Sequence, residues 1–361
     1  MGKAAREQLS RALNEHLNII HETFQVLDQT PASSLEKVTW KEVIQMGEQV
    51  FKQATAVGML YSGDDPGVKA LEENMSVYFN MLQGLLLLSH GSTMGAGPTL
   101  SSCIHKAVKQ VVDGSFMLLQ EAVSSYGSPN NSQKNTIPQL VGAVWEACSA
   151  MKKTPSTNVT AIGRAITQVA VSIKDVLREI KELKPANEPS EPCDEILIKS
   201  EDRSDGHDSC DGDLGNDLSP EEMKIVQIAI TIVSEILVVI KELIRSITGL
   251  LQTGNNDDSA ISVDSLEKLL KLCLGIGVQV DELGACLYPP QEICAIKVAL
   301  EKVSGFGNEM EVELRNIEGF TEGFSKACTG LKSSLRQLES ELDCESASNL
   351  VPEMENLVIS N

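Results

Sequence analysis

Between Pro220 and Gly249 the chain has no glycine or proline and is dominated by Ile, Leu and Val, so the stretch from Ser219 to Gln252 constrains the fold most. Ser219, Pro220 and Glu222 form a helix start signal: a serine placed to cap, a proline at the first helical position, and a glutamate three residues after the cap to return the hydrogen bond. The β-branched residues (Ile225, Val226, Ile228, Ile230, Ile232, Val233) would suit a strand, but strands rarely exceed about ten residues and the polar positions here do not alternate. At about 100° per residue, Lys224, Gln227, Thr231, Ser234, Glu235, Lys241, Glu242 and Arg245 fall in one stripe roughly 140° wide. The rest of the circumference is apolar, which requires cover on more than one side. Charge at Glu235, Lys241 and Glu242 argues against a membrane span, so the expected cover is other helices of this chain or of a partner.

With 361 residues, 42% of them apolar, the chain can build two cores, and with only 4% aromatics those cores are aliphatic. Aliphatic cores favour helix-on-helix packing, and the expected class is all-α. A net charge of −21 without any basic cluster opposes phosphate binding and predicts no direct contact with nucleic acid. The nine cysteines are scattered through helical patterns and read as reduced, buried, intracellular thiols. On that reading the sequons at Asn130 and Asn158 stay unglycosylated.

Prolines divide the chain into helical segments. Leu9, Leu13, Leu17, Ile20, Phe24 and Leu27 mark a first helix, Ser33 with Glu36 is the expected cap of a second that runs to Tyr61, and Asp65-Pro66 opens a third to Ser89. Pro98 opens a fourth to Tyr126, Pro138 a fifth to Lys152, and Thr154-Pro155 a sixth to Lys184. Between Pro185 and Leu218 eleven Asp or Glu stand against Lys199 and Arg203, the composition of a solvated linker. Further helices are expected from Ser219 to Gln252, from Val263 to Gly284, from Pro290 to Val303, and from Asn308 to Leu342 with a break at Gly319 or Gly323. Helices this long joined by short loops lie antiparallel. The expected organisation is therefore an N-terminal bundle over 1–185, an acidic linker over 186–218, a C-terminal bundle over 219–345 and a loose tail over 346–361.

No catalytic, cofactor or metal-binding set emerges. His16 and His21, five residues apart, do not share a helix face and read as solvent-exposed. His207 and Cys210 lie in the acidic segment, which lacks the spacing of a calcium loop. Gly95, Gly97 and Pro98 resemble a phosphate-cradling turn only in composition, and Gly275 and Gly277 read as allowing close helix packing rather than a dinucleotide. The leucines of the basic-x-Leu triplets at Arg11 to Leu13 and Arg336 to Leu338 belong to apolar stripes and are expected in the core. Ser219, followed by Pro220, is a candidate site of proline-directed phosphorylation, since phosphate is tolerated at a helix N-terminus.

Two stretches carry a family resemblance: GPTLSSCIHKAVKQVVDG, Gly97 to Gly114, followed by VWEAC, Val144 to Cys148, and LYPPQE, Leu287 to Glu292. With the acidic insert and the chain length, they resemble the cyclin-D-binding protein family, also described as Grap-and-cyclin-D-interacting proteins. The resemblance implies an all-helical protein of two talin-rod-like bundles and no enzyme activity. It implies a cytoplasmic and nuclear regulator that binds D-type cyclins and acts as a negative partner of helix-loop-helix factors. A talin- or vinculin-like adaptor in a cytoskeletal or membrane-associated assembly is the alternative that shares the fold. Such adaptors usually present a basic face, and the acidic balance of this chain favours the regulator, with no membrane partner.

Overall fold

The computed structural model describes residues 2–25, 37–62, 67–126, 136–185, 218–252, 262–315 and 322–348. Ten α-helices and no sheet occur among the described residues, in two compact units, Met1–Ile162 and Gly163–Asn361. The expected all-α class holds. The cap expected at Ser33, most of the acidic segment and residues 349–361 of the tail lie outside the described residues.

The first unit contains α1 (Gly2–Gln25), α2 (Trp40–Ser62), α3 (Val68–Ser92), α4 (Pro98–Ser125) and α5 (Thr136–Met151). Chain neighbours α2 to α5 run antiparallel, as their cross-contacts show: Met46 reaches Gly84, Tyr78 bonds Ser115, and Gly114 lies against Val144. α2 also pairs with α5, where Gly58 permits close approach, since a Cβ there would sit 2.8 Å from a Val141 methyl carbon. The core is aliphatic, with Tyr78 as its largest fully buried side chain; its hydroxyl donates to Ser115 Oγ at 2.9 Å, and Ser115 donates to the Val111 carbonyl at 2.6 Å. That chain of bonds satisfies a polar group inside an apolar interior. α2 starts later than the expected Ser33. Residues Lys37 to Thr39 are not helical, and Thr39 forms a box with Glu42: the Thr39 N–H and hydroxyl both donate to the Glu42 carboxylate, at 2.7 and 2.8 Å. These bonds lower the Glu42 pKa.

The second unit holds most of α6 (Asn158–Lys181), with α7 (Pro220–Gln252), α8 (Val263–Cys286), α9 (Ile293–Arg315) and α10 (Glu322–Ser348). α7 and α10 lie antiparallel along their lengths. Lys224 pairs with Glu341 at 2.6 Å, while Cβ atoms at Gly330 and Gly323 would stand 3.1 and 3.0 Å from the carboxylates of Glu235 and Glu242. The expected polar stripe of α7 is exposed or half-buried throughout, and Ile225, Val226, Ala229, Ile232, Val233, Ile236, Val239, Ile240, Leu243 and Ile247 are buried. Pro220–Gly249 is, by length and composition alone, apolar enough to cross a membrane, so charge is not what excludes a span. Most of its apolar side chains are buried inside this unit, while Val238 stays exposed.

Three expectations change here. The sequence reading gave all of α6 to the N-terminal half, but Val169 and Val176 of α6 rest on Gly277 and Gly284 of α8, where Cβ atoms would come within 3.2 and 2.9 Å of them. The residues flanking the acidic segment also lie together: Leu218 N–H donates to the Lys184 carbonyl at 3.3 Å, and Pro185 and Leu218 form an isolated parallel bridge. The segment therefore leaves and re-enters one unit. Finally, α9 runs through Gly305 and Gly307 to Arg315 rather than ending at Val303. A helical glycine costs only about 1 kcal/mol, and burial of Val303, Met310 and Leu314 keeps the apolar stripe going past both.

Two nearly buried carboxylates join α9 to its neighbours. Glu311 bonds Lys332 of α10 at 2.8 Å and Arg315 at 2.7 Å, and Glu313 bonds Lys268 of α8 at 2.7 Å. The hydrogen bond from Lys332 is the main cause that lowers the Glu311 pKa, and the one from Lys268 does the same for Glu313.

Two outcomes are expected in unfolding experiments. Gly284→Ala drives a methyl group into Val176 and should lower stability by about 1–3 kcal/mol, whereas Gly305→Ala, whose Cβ meets nothing within 4 Å, should raise it by about 0.5–1 kcal/mol. Equal urea midpoints for the two variants would contradict the packing. For acid, the folded-state values of Glu311 and Glu313 lie below the ordinary 4.5, so their contribution is complete above that pH and is lost as pH falls through the lowered values. Thermal midpoints measured from pH 7 to pH 3 should fall less steeply in a Glu311→Gln, Glu313→Gln double variant than in the parent.

Candidate partner-binding surfaces

Most of the described residues weighed for chemistry are occupied by packing; His21 is exposed, as expected, and His207 and Cys210 lie outside the described residues. Gly95 sits in a turn at φ +74°, and that turn is closed by Asn158: its Oδ1 accepts from the Gly97 N–H and its Nδ2 donates to the Gly95 carbonyl, both at 2.8 Å. No amide of Gly97 is left for a phosphate, and the Asn158 side chain is buried rather than presented for glycosylation. His16 corrects its expectation, being half-buried and stacked on Phe79 with ring centroids 4.8 Å apart. Leu13 and Leu338 of the basic-x-Leu triplets are buried, as expected. Burial pushes the thiols of Cys148 and Cys273 up to about 12 and that of Cys328 to about 11, so these sulfurs are protonated and poor nucleophiles at neutral pH. Among the described residues no three His, Cys, Asp or Glu side chains gather as a metal ion would need.

What the surface offers instead is apolar contact. On α5, Ile137, Val141, Val144, Cys148 and Met151 form the buried stripe, and Trp145 lies outside that phase. It is 38% exposed and stacks on Phe51 of α2 with centroids 5.2 Å apart. Its Nε1 donates to Thr55 Oγ1 at 3.1 Å, while Thr55 donates to the Phe51 carbonyl at 3.0 Å, so the indole is fixed before any partner arrives. Met59, two turns along α2 from Phe51, is 73% exposed. A pre-ordered Trp with neighbouring Phe and Met is the composition of an interface anchor. The sequence reading used VWEAC only as a resemblance; the signal it missed is that this Trp falls out of register with the core stripe.

At the start of α7 the cap expected from sequence is made. Glu222 N–H donates to Ser219 Oγ at 3.1 Å, and Ser219 N–H donates to the Glu222 carboxylate at 2.9 Å. The cap reaches further than sequence could show. Gln291, from the LYPPQE stretch, donates its Nε2 to the Glu222 carbonyl at 3.1 Å and to the Leu287 carbonyl at 3.2 Å. Helix start and the α8–α9 turn are thus tied together. Ser219 is half-buried with its hydroxyl engaged as a cap acceptor.

Fold and surface define an all-helical protein with an ordered aromatic side chain at the surface of its first unit. The chain belongs to the Grap2 and cyclin-D-interacting family: the N-terminal family description matches residues 42–186 and the C-terminal one residues 200–312. A cyclin-D1-binding protein 1 homolog from Xenopus laevis is 24% identical over 210 residues, 58% of this chain and 58% of that protein. Cyclin-D1-binding protein 1 from Mus musculus is 25% identical over 237 residues, 64% of this chain and 59% of that protein. The Rattus norvegicus protein of the same name is 23% identical over 267 residues, 72% of this chain and 71% of its own length. The match thus spans less than two-thirds of the length of the first two relatives.

Replacing Ser219 with Ala removes the acceptor for the Glu222 N–H and should destabilise the second unit by about 0.5–2 kcal/mol. Hydrogen exchange should quicken in the first turn of α7 and leave the first unit unaffected. An unchanged exchange pattern would show that the cap is not needed there.

Proposed function

We propose that this protein regulates the cell cycle and transcription by stoichiometric binding, with D-type cyclins and helix-loop-helix factors as its partners, in the cytoplasm and nucleus. The names of its relatives support the cyclin, and the resemblance to the family supports the helix-loop-helix partner. The finer architecture in this proposal is two antiparallel, talin-rod-like bundles, α1 to α5 and α6 to α10, with the acidic segment inserted between α6 and α7. Five helices in each unit support it. Ser219 is proposed as a phosphorylation site on the strength of the following Pro220 and its place at a helix N-terminus.

The observation that carries the binding proposal is the pre-ordered Trp145 stacked on Phe51, with Met59 exposed further along α2. Affinity from such a surface rests on apolar contact, which salt screens little. A net charge of −21 makes the protein a poor ligand for DNA. The test is titration of a D-type cyclin, followed by fluorescence anisotropy, at low and high salt. Trp145→Ala should weaken binding by about thirtyfold, the loss of one interface anchor. Met59→Glu, a change at an exposed position, should weaken it without moving the thermal midpoint. Unaltered affinity in both variants would move the contact elsewhere, and loss of affinity with rising salt would make it electrostatic. Duplex DNA at low salt should show no micromolar binding.

A further inference from the structure

In the second unit α6 and α8 run parallel: Val169 meets Gly277 and, seven residues on in both helices, Val176 meets Gly284. The two helices end together, α6 at Lys181 and α8 at Cys286. Their C-terminal turns enclose a cleft of about 270 Å³ with Val176, Ile180, Gly284 and Ala285 as its apolar wall and Tyr288 at its mouth. Glu179 and Asp281 complete the lining, one from each helix, and among the described residues neither is paired with a basic group. Two helix C-termini add the partial negative charge of their dipoles at the same place. The basic residues of the last turns of α6 do not neutralise it. Arg178 and Lys181 lie roughly 140–160° around the helix from Val176, and Arg178 is turned to Asp175 at 3.4 Å.

The cleft is the end of a longer strip. Leu274, Val278, Asp281 and Ala285 follow at steps of four, three and four residues, which places them on one outward stripe of α8, and Tyr288 follows just past the helix end. Leu274, Val278 and Tyr288 are 51%, 54% and 42% exposed, an apolar run on a surface helix with no cover among the described residues. Its far end is the carboxylate-lined cleft, with room for one long side chain and not for a helix.

We propose that this strip is a docking site for an amphipathic helix of a partner protein, with two apolar residues one turn apart over Leu274 and Val278 and an arginine seated in the cleft between Glu179 and Asp281. Arginine fits because its long apolar stem suits the Val176 and Ile180 wall while its planar guanidinium serves two carboxylates and an aromatic ring at once. The charge pattern selects this occupant. An anionic membrane is repelled by Glu179 and Asp281, and a second copy of this acidic chain offers no matching excess of base. The site deepens the protein-binding reading but uses residues and physics separate from Trp145, since an arginine between carboxylates is sensitive to salt.

The experiment uses the full chain and a fluorescein-labelled 16-residue helical peptide with leucines one turn apart and one arginine two turns further along the same face. Anisotropy should show saturable binding that falls about tenfold or more, the scale for breaking a close charge pair, when the peptide arginine is replaced by glutamine. A Glu179→Lys, Asp281→Lys variant should lose the arginine peptide and gain the corresponding glutamate peptide, a reciprocal switch that unfolding of the variant could not produce. Trp145→Ala should leave the peptide affinity unchanged while it weakens the cyclin. Absence of binding, equal binding of the glutamine peptide, lack of the reciprocal switch, or loss of the peptide in Trp145→Ala would each overturn the site.

Discussion

Aliphatic burial along α7 is the interaction on which the second unit depends. Eleven of its apolar side chains are buried, and each Ile, Val or Leu among them contributes about 1.5–3 kcal/mol before the cost of ordering the chain is set against it. That burial requires α10 to lie along the full length of α7. Gly323 and Gly330 make it feasible, because side chains there would strike the Glu242 and Glu235 carboxylates at the edge of the polar stripe. Elsewhere the same device recurs. Gly277 and Gly284 let α6 approach α8, Gly275 accommodates the ring of Phe306 from α9, and Gly58 lets α5 settle on α2. A chain with few aromatics fills its cores by bringing backbones close rather than by inserting large rings.

Polar groups fix how these helices join. Thr39, Asn158 and Ser219 each stand at a helix start, and the last two reach beyond their own helix: Asn158 to the Gly95–Gly97 turn, and the Ser219–Glu222 cap through Gln291 to the α8–α9 turn. Glu311 and Glu313 do the equivalent for α9, binding it to α10 and α8. Satisfied buried polar contacts of this kind specify one arrangement among the many that aliphatic surfaces alone would permit.

The signals that were legible in the sequence are those confined to one helix. The phase of α7, its cap at Ser219 and its polar stripe depend on residues three or four apart, so a single chain segment suffices to read them. What depends on a distant segment was not legible. Ser33 with Glu36 and Thr39 with Glu42 carry the same local cap pattern, and helix α2 starts at the second, where Trp40 and Val43 are buried at once. The helix expected to end at Val303 runs on to Arg315 because Met310 and Leu314 are buried, which is tertiary information. The packing of α6 on α8 rests on Gly277 and Gly284, and His16 is held by Phe79 from another helix. Of the candidate surfaces, Trp145 was in view only as a motif letter, and the α6–α8 cleft exists only once two segments about a hundred residues apart lie side by side.

The proposed binding surface rests on side chains that are ordered before contact rather than on a segment that folds on contact. Trp145 is already stacked and hydrogen-bonded, so a partner meets it without a large ordering cost. The most direct measurement is amide hydrogen exchange of the full chain with and without a D-type cyclin. The account predicts added protection confined to α2 and α5 around Phe51, Met59 and Trp145, with the amides of the buried face of α7 unchanged. Protection spread through α7 and α10, or none on α2 and α5, would contradict it.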